Sequence, residues 1–228
     1  MKDVLRLFLL AFVVIGYWLP VHGQRISAFL SLGATVSQIE GDELKGFDRW
    51  GMMGSVGAMA RFDQNGRWLA SLEAGYARRG AFNDSGDPYN IKLTLDYVDV
   101  PVMVHYRDPY GGMMIGLGLV YGRLVRQPHG EIAFDTGYFI PDTSDMSFLK
   151  NDLSIAADFR FKIWKGLFFG VRYQYSLLAV KREWNFTERF NSRADQIWHN
   201  DCYNSSVMIR LMWMFGGEDD DFSGKKRR

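Results

Sequence analysis

The sequence predicts an all-β chain that closes into an eight-stranded antiparallel up-and-down transmembrane barrel behind a signal peptide. Three observations carry this. Side chains alternate with a period of two along nearly the whole mature chain. Short turns alternate with longer polar segments. Outward-facing aromatic residues gather at two heights. The clearest stretch is 95–121. Val98, Val100, Val102, Val104 and Tyr106 share one face, and Tyr97, Asp99, Pro101, Met103 and His105 the other. After a Gly/Pro turn, Met113, Ile115, Leu117, Leu119 and Tyr121 oppose Met114, Gly116, Gly118, Val120 and Gly122. Two alternating arms joined by a turn form a hairpin. One face is wholly apolar and no apolar helix is at hand to cover it, so lipid is the expected cover and the other face lines a polar lumen.

Bulk properties narrow the alternatives. The chain has 228 residues and a net charge of +1, which gives no electrostatic footprint for nucleic acid. Mean hydropathy is −0.15, and no run of about 18 apolar residues follows the leader, which excludes a helical membrane protein. The single cysteine, Cys202, excludes an intrachain disulfide framework and is expected as an inert thiol in a loop.

Residues 1–23 read as the signal peptide: Lys2 and Arg6 precede an apolar core over 7–18, Pro20 breaks it, and Gln24 begins the mature chain. The barrel is expected over 24–215. Its first strand, 25–37, alternates Ile26, Ala28, Leu30, Leu32, Ala34 and Val36 against Ser27, Phe29, Ser31, Gly33, Thr35 and Ser37. A polar loop, 38–50, leads to a strand with Val56, Ala58, Ala60 and Phe62 outward. Asp63-Gln64-Asn65-Gly66-Arg67 is a hairpin turn, Asn-Gly being a strong signal for one. The third strand points Trp68, Ala70, Leu72, Ala74 and Tyr76 outward and Ser71, Glu73 and Gly75 inward, before a second loop over 78–90. Beyond the hairpin of 95–121, a long segment over 122–150 is too long for a compact turn and is expected to extend the strands above the membrane. Strand six carries Leu153, Ile155, Ala157, Phe159, Phe161 and Ile163 outward, with Asp158 and Arg160 among its inward residues. Trp164-Lys165-Gly166 turns into strand seven, with Arg172 inward. A fourth loop, 181–201, precedes the last strand, with Arg210 inward and Val207, Ile209, Leu211, Trp213 and Phe215 outward. Phe62, Trp68, Tyr106, Trp213 and Phe215 mark the turn end, and Tyr76, Tyr121, Tyr173 and Tyr175 the loop end, as two interfacial girdles do.

Gly33…Ser37-Gln38…Gly41-Asp42…Gly46, the segment Glu73-Ala74-Gly75-Tyr76-Ala77-Arg78-Arg79-Gly80, and Leu95-Asp96-Tyr97-Val98-Asp99-Val100-Pro101-Val102 are similar to the small outer-membrane barrels of the PorT family of Bacteroidota. The resemblance covers most of the mature chain. It implies an outer-membrane location and a part in the type IX protein secretion system. These motifs mark strand ends and lumen positions. The charged tail departs from the family pattern.

No residue pattern points to chemistry. His105 faces inward near the turn end, and His129 and His199 fall in outer loops without a G-x-S-x-G motif. Glu73 and Asp99 lack a sugar cleft between them, and His129, Glu131 and Asp135 have weak metal-ligand spacing. The expectation is a non-enzymatic protein with no cofactor and no metal. The alternatives are an adhesive or protective surface barrel resembling OmpX and, behind it, an outer-membrane lipid-modifying enzyme. Expected partners are outer-membrane lipid or lipopolysaccharide and proteins of the outer membrane or periplasm, with both termini periplasmic. Candidate docking residues are Trp184, Phe186, Phe190 and Trp198 in loop four. The tail over 216–228, expected to be disordered, adds Lys225, Lys226, Arg227 and Arg228.

The strand phases make one sharper statement. Glu73 and Asp99 face inward from adjacent strands at mid-depth, while Arg172 and Arg210 face inward from strands across the barrel. Asp158 and Arg160 extend the far wall. Eight strands enclose an interior that side chains can fill, so these six charges are expected to close the lumen as a transverse network.

Overall fold

The computed structural model describes residues 26–41, 49–63, 65–83, 89–110, 112–129, 132–134, 139–141, 147–188 and 196–215. The signal segment, the tail with Lys225, Lys226, Arg227 and Arg228, and Phe190 lie outside these residues. So do Glu131 and Asp135.

Every described element is a strand: β1 (Ile26–Glu40), β2 (Arg49–Arg61), β3 (Trp68–Asn83), β4 (Tyr89–Arg107), β5 (Met113–His129), β6 (Ile132–Phe134), β7 (Phe139–Pro141), β8 (Asn151–Trp164), β9 (Leu167–Ser176), β10 (Lys181–Glu188) and β11 (Gln196–Phe215). Eight of them, β1-β2-β3-β4-β5-β8-β9-β11, pair antiparallel in sequence order, and β1 pairs with β11 to close the barrel. Closure leaves no open edge within the lipid-facing wall, the condition a sheet must meet in hydrocarbon.

Alternation sets the two faces as the residue pattern requires. Leu32, Val56, Val102, Leu117, Ile155 and Leu211 are exposed on the outer wall. Ser31, Glu73, Met103, Ser154, Gln174 and Arg210 are buried inside. Three tight connections lie at one end. Asp63 anchors the first by accepting the backbone N–H groups of Arg67 (3.0 Å) and Trp68 (2.9 Å). There Gly66 takes φ +65°, a left-handed conformation that glycine adopts without a Cβ penalty.

The strands overrun the predicted loops at the other end. Residues 78–83 belong to β3 and 89–94 to β4, paired from Arg78↔Asp96 to Asn83↔Ile91, so strand takes up most of the second predicted loop. The long third segment contributes the end of β5 with β6 and β7, and His129 ends β5. The fourth loop contains β10 and the first turn-distal third of β11. Cys202 is therefore not a loop residue: it lies in β11, fully buried. Above the girdle, β7, β10 and β11 form a small protruding sheet.

The lumen is not uniformly polar, which corrects the simple apolar-out, polar-in expectation. Phe29, Met59, Leu69, Met114, Phe168, Met212 and Met214 make an apolar floor at the turn end. At the opposite end Ile39, Ala81, Leu93, Leu95, Tyr97, Leu124, Phe148, Val180 and Cys202 make an apolar cap. The charges lie between these layers.

Candidate functional site: a charged plug in the lumen

The main cluster is built from one residue on each of three strands and two on a fourth. Glu73 comes from β3, Asp158 and Arg160 from β8, Arg172 from β9 and Arg210 from β11. Their inward direction follows from strand phase. Their convergence follows from glycines that leave room across the wall. A Cβ on Gly57 would come within 2.6 Å of the Phe29 ring and 3.0 Å of Glu73 Cγ, and on Gly170 within 3.4 Å of the Arg210 side chain.

Glu73 is the hub. Its Oε1 accepts from Arg172 Nη2 at 2.6 Å and from Arg160 Nη2 at 3.0 Å. Its Oε2 accepts from Arg210 Nη1 at 3.0 Å and Ser55 Oγ at 3.3 Å. Asp158 Oδ2 accepts from Arg160 Nε at 2.7 Å, Arg210 Nη2 at 2.6 Å and Arg172 Nη2 at 3.3 Å. Three guanidinium groups thus share two carboxylates, all of them buried. Leaving water costs each such ion several kcal/mol, and short charge-assisted bonds on both carboxylates offset that. The Arg160 guanidinium also lies 5.5 Å from the centre of the Phe29 ring, which joins the plug to the floor.

Asp99 does not join this cluster. It pairs with Arg79 of β3 in a second layer nearer the cap. There Arg79 Nη1 lies 3.5 Å from Asp152 Oδ2, which also accepts from Ser154 Oγ (3.1 Å) and Ser176 Oγ (2.9 Å). Arg79 lies over Tyr97, 5.0 Å from the ring centre. One guanidinium here faces two carboxylates, the reverse of the first layer's imbalance, so the two layers together balance at four of each sign. Sequence reasoning placed Arg79 at the start of a loop. The signal that finds it is its parity with Ser71, Glu73 and Ala77.

Between the layers lies a cavity of about 10 Å³, bounded by Ser55, Glu73, Gly75, Asp99, Arg172 and Met208. That is the scale of a single water molecule, not of a conduit. The remaining candidates fall elsewhere. Trp184 and Phe186 lie in β10 and Trp198 in β11, with Phe186 and Trp198 paired in backbone register. His105 Nε2 is 2.8 Å from Ser71 Oγ, but both are buried and His105 Nδ1 has no partner, so no acid orients the imidazole. Among the described residues no three His, Cys, Asp or Glu side chains are grouped to hold a metal.

A closed eight-stranded barrel with a lipid-facing apolar wall, two aromatic girdles and a filled lumen defines the class of small outer-membrane barrels. Residues 15–215 match the family of outer membrane protein beta-barrel domains, and the chain belongs to it. The protein is thus an outer-membrane β-barrel. Among solved structures it is similar to Ail, the attachment invasion locus protein of Yersinia pestis (15% identity, TM-score 0.45, 83% of this chain and 98% of that one). Neisserial surface protein A is also similar (8%, 0.46, 85% and 100%), as is OprG of Pseudomonas aeruginosa (12%, 0.40, 84% and 96%). No curated protein matches the sequence.

Proposed function

We propose that the protein is a non-enzymatic, non-conducting barrel that serves as a membrane-embedded part of an outer-membrane machine, with its turns and both termini in the periplasm. The observation that carries this reading is the lumen. A floor, two charged layers and a cap fill it from end to end, which suits a rigid anchor and suits neither a pore nor a substrate cleft. The PorT-like segments supply the choice of machine, type IX protein secretion. Ser71 and His105 are the nearest approach to a nucleophile and base, and burial with no orienting acid speaks against their use. Deletion followed by assay of secreted cargo tests the proposal: cargo export should fall, and undiminished export would overturn it.

One observation favours a second reading, a surface barrel resembling OmpX. The sheet of β7, β10 and β11 carries Trp184, Phe186 and Trp198 beyond the girdle. Under that reading deletion leaves export intact and reduces adhesion. Purification from the native membrane in mild detergent, with identification of co-eluting proteins, names the partner in either case.

A further inference from the structure

The outer wall above the loop-end girdle is not evenly charged. Tyr76 and Tyr121 mark the polar edge of the apolar wall, each with its hydroxyl donating to a polar neighbour: Asp96 Oδ1 at 2.5 Å and Asn151 Oδ1 at 2.9 Å. Two residues further along the same strands, about 7 Å higher, stand Arg78 and Arg123. Arg126 on β5 and Lys150, immediately before β8, complete the row. Four cations therefore span β3 to β8, three strand spacings or roughly 14 Å.

Asp96 is the one carboxylate among the described residues of this row. It takes Arg78 Nε at 2.9 Å, and Arg126 only at 3.9 Å. The Arg126 side chain remains 65% exposed. Arg123 spends one nitrogen on Asn151, at 2.6 Å, and Lys150 is exposed. The loop end on the other side of the barrel is different: Glu40 of β1, Glu183 of β10 and Asp201 of β11 stand there with Arg182. Among the described residues the cation excess thus lies on one side.

We infer that this side is a binding site for the phosphate-bearing headgroup of an outer-leaflet glycolipid. Three of the four cations are arginines, whose planar fork matches phosphate oxygens bidentately. The site lies directly above Val98, Leu119, Tyr121 and Ile155, which face lipid, so a ligand with acyl chains meets an apolar wall below and cations at the level of its headgroup. A soluble anion would use only the upper half of that surface. The assignment rests on the loop end facing the outer leaflet.

The test uses the full mature chain in a neutral detergent, where binding does not depend on orientation in the cell. Native mass spectrometry and thermal unfolding are followed with bisphosphorylated lipid A, lipid A stripped of phosphate, phosphatidylglycerol and inorganic phosphate. Bisphosphorylated lipid A should bind and raise the melting temperature, with dephosphorylated lipid A at least tenfold weaker. The combined variant Arg123→Gln, Arg126→Gln, Lys150→Gln should lose at least tenfold in affinity. Arg123→Lys with Arg126→Lys should keep part of it, and Glu40→Gln with Glu183→Gln on the other side should change nothing. Heat-modifiable migration on gels verifies that each variant is folded. Equal binding of dephosphorylated lipid A or of phosphatidylglycerol, full competition by inorganic phosphate, or unchanged affinity in the triple variant would each overturn the inference. Cysteine labelling in intact cells reports the orientation separately. A reversed barrel that still binds lipid A in detergent would leave the headgroup chemistry standing and remove its outer-leaflet setting.

Discussion

Glu73 and Asp99 look alike in the sequence, two inward acids on neighbouring strands, yet their surroundings separate them. Glu73 is bonded to three arginines, and its loss leaves those three on Asp158 alone. Glu73→Gln should therefore destabilise the barrel by about 3 kcal/mol or more, the cost typical of stranding a buried charge. Asp99 shares Arg79 with Asp152, so Asp99→Asn leaves one guanidinium with one carboxylate and should lower the melting temperature far less. Thermal unfolding in detergent compares the two directly, and equal losses would mean the layers are not separate. Inward glycines make a second residue-scale test. Gly57→Val has no room between the Phe29 ring and the Leu72 carbonyl, 2.6 and 2.7 Å from its Cβ, and should cost about 1–3 kcal/mol. Strand phase alone made five of the six network residues legible as neighbours. It could not reveal that Asp99 belongs with Arg79, because phase fixes a face and a depth but not which guanidinium reaches which carboxylate.

At the scale of the element, alternation is clear in 95–121 because lipid demands an apolar residue at every second position there. Above the girdle that demand ends. Arg78 and Arg79 are adjacent and both ordered, one on the outer wall and one in the lumen, and the run Arg-Arg-Gly toward Asn83 reads as a loop although it is strand. Gly80 there adopts φ +146°, and a Cβ at this position would run into the Leu93 carbonyl, so glycine is required for the β3–β4 ladder to continue. Hydrogen exchange in lipid nanodiscs checks the extension. Amides of the ladder over 79–83 and 91–95 should be protected comparably to those of 69–77, whereas exchange at loop-like rates would restore the shorter strands. Cys202 gives a second readout. Its thiol is sealed in the cap with Val180 and Phe148 and should react with maleimide only after unfolding. Rapid labelling of the folded barrel would show the cap to be open.

For the whole molecule, what matters is that contacts between opposite walls replace a second layer. β3 makes its ladder with β2 and β4, yet Glu73 reaches Arg172 on β9 and Arg210 on β11 through the lumen. Such pairs tie opposite walls of the barrel together through the lumen. Reversal of charge at Glu73 should be partly rescued by the reciprocal change at Arg172, with a coupling energy beyond the sum of single effects. The topology is tested by single cysteines: one in the turn over 63–67 should resist a membrane-impermeant reagent in intact cells, and one in the segment over 122–150 should react. The closed lumen itself is most directly tested by planar-bilayer recording of the purified wild-type barrel. The filled interior predicts a quiet baseline with no steady conductance across the range of voltage. A stable, large, ohmic conductance from the intact protein would contradict it.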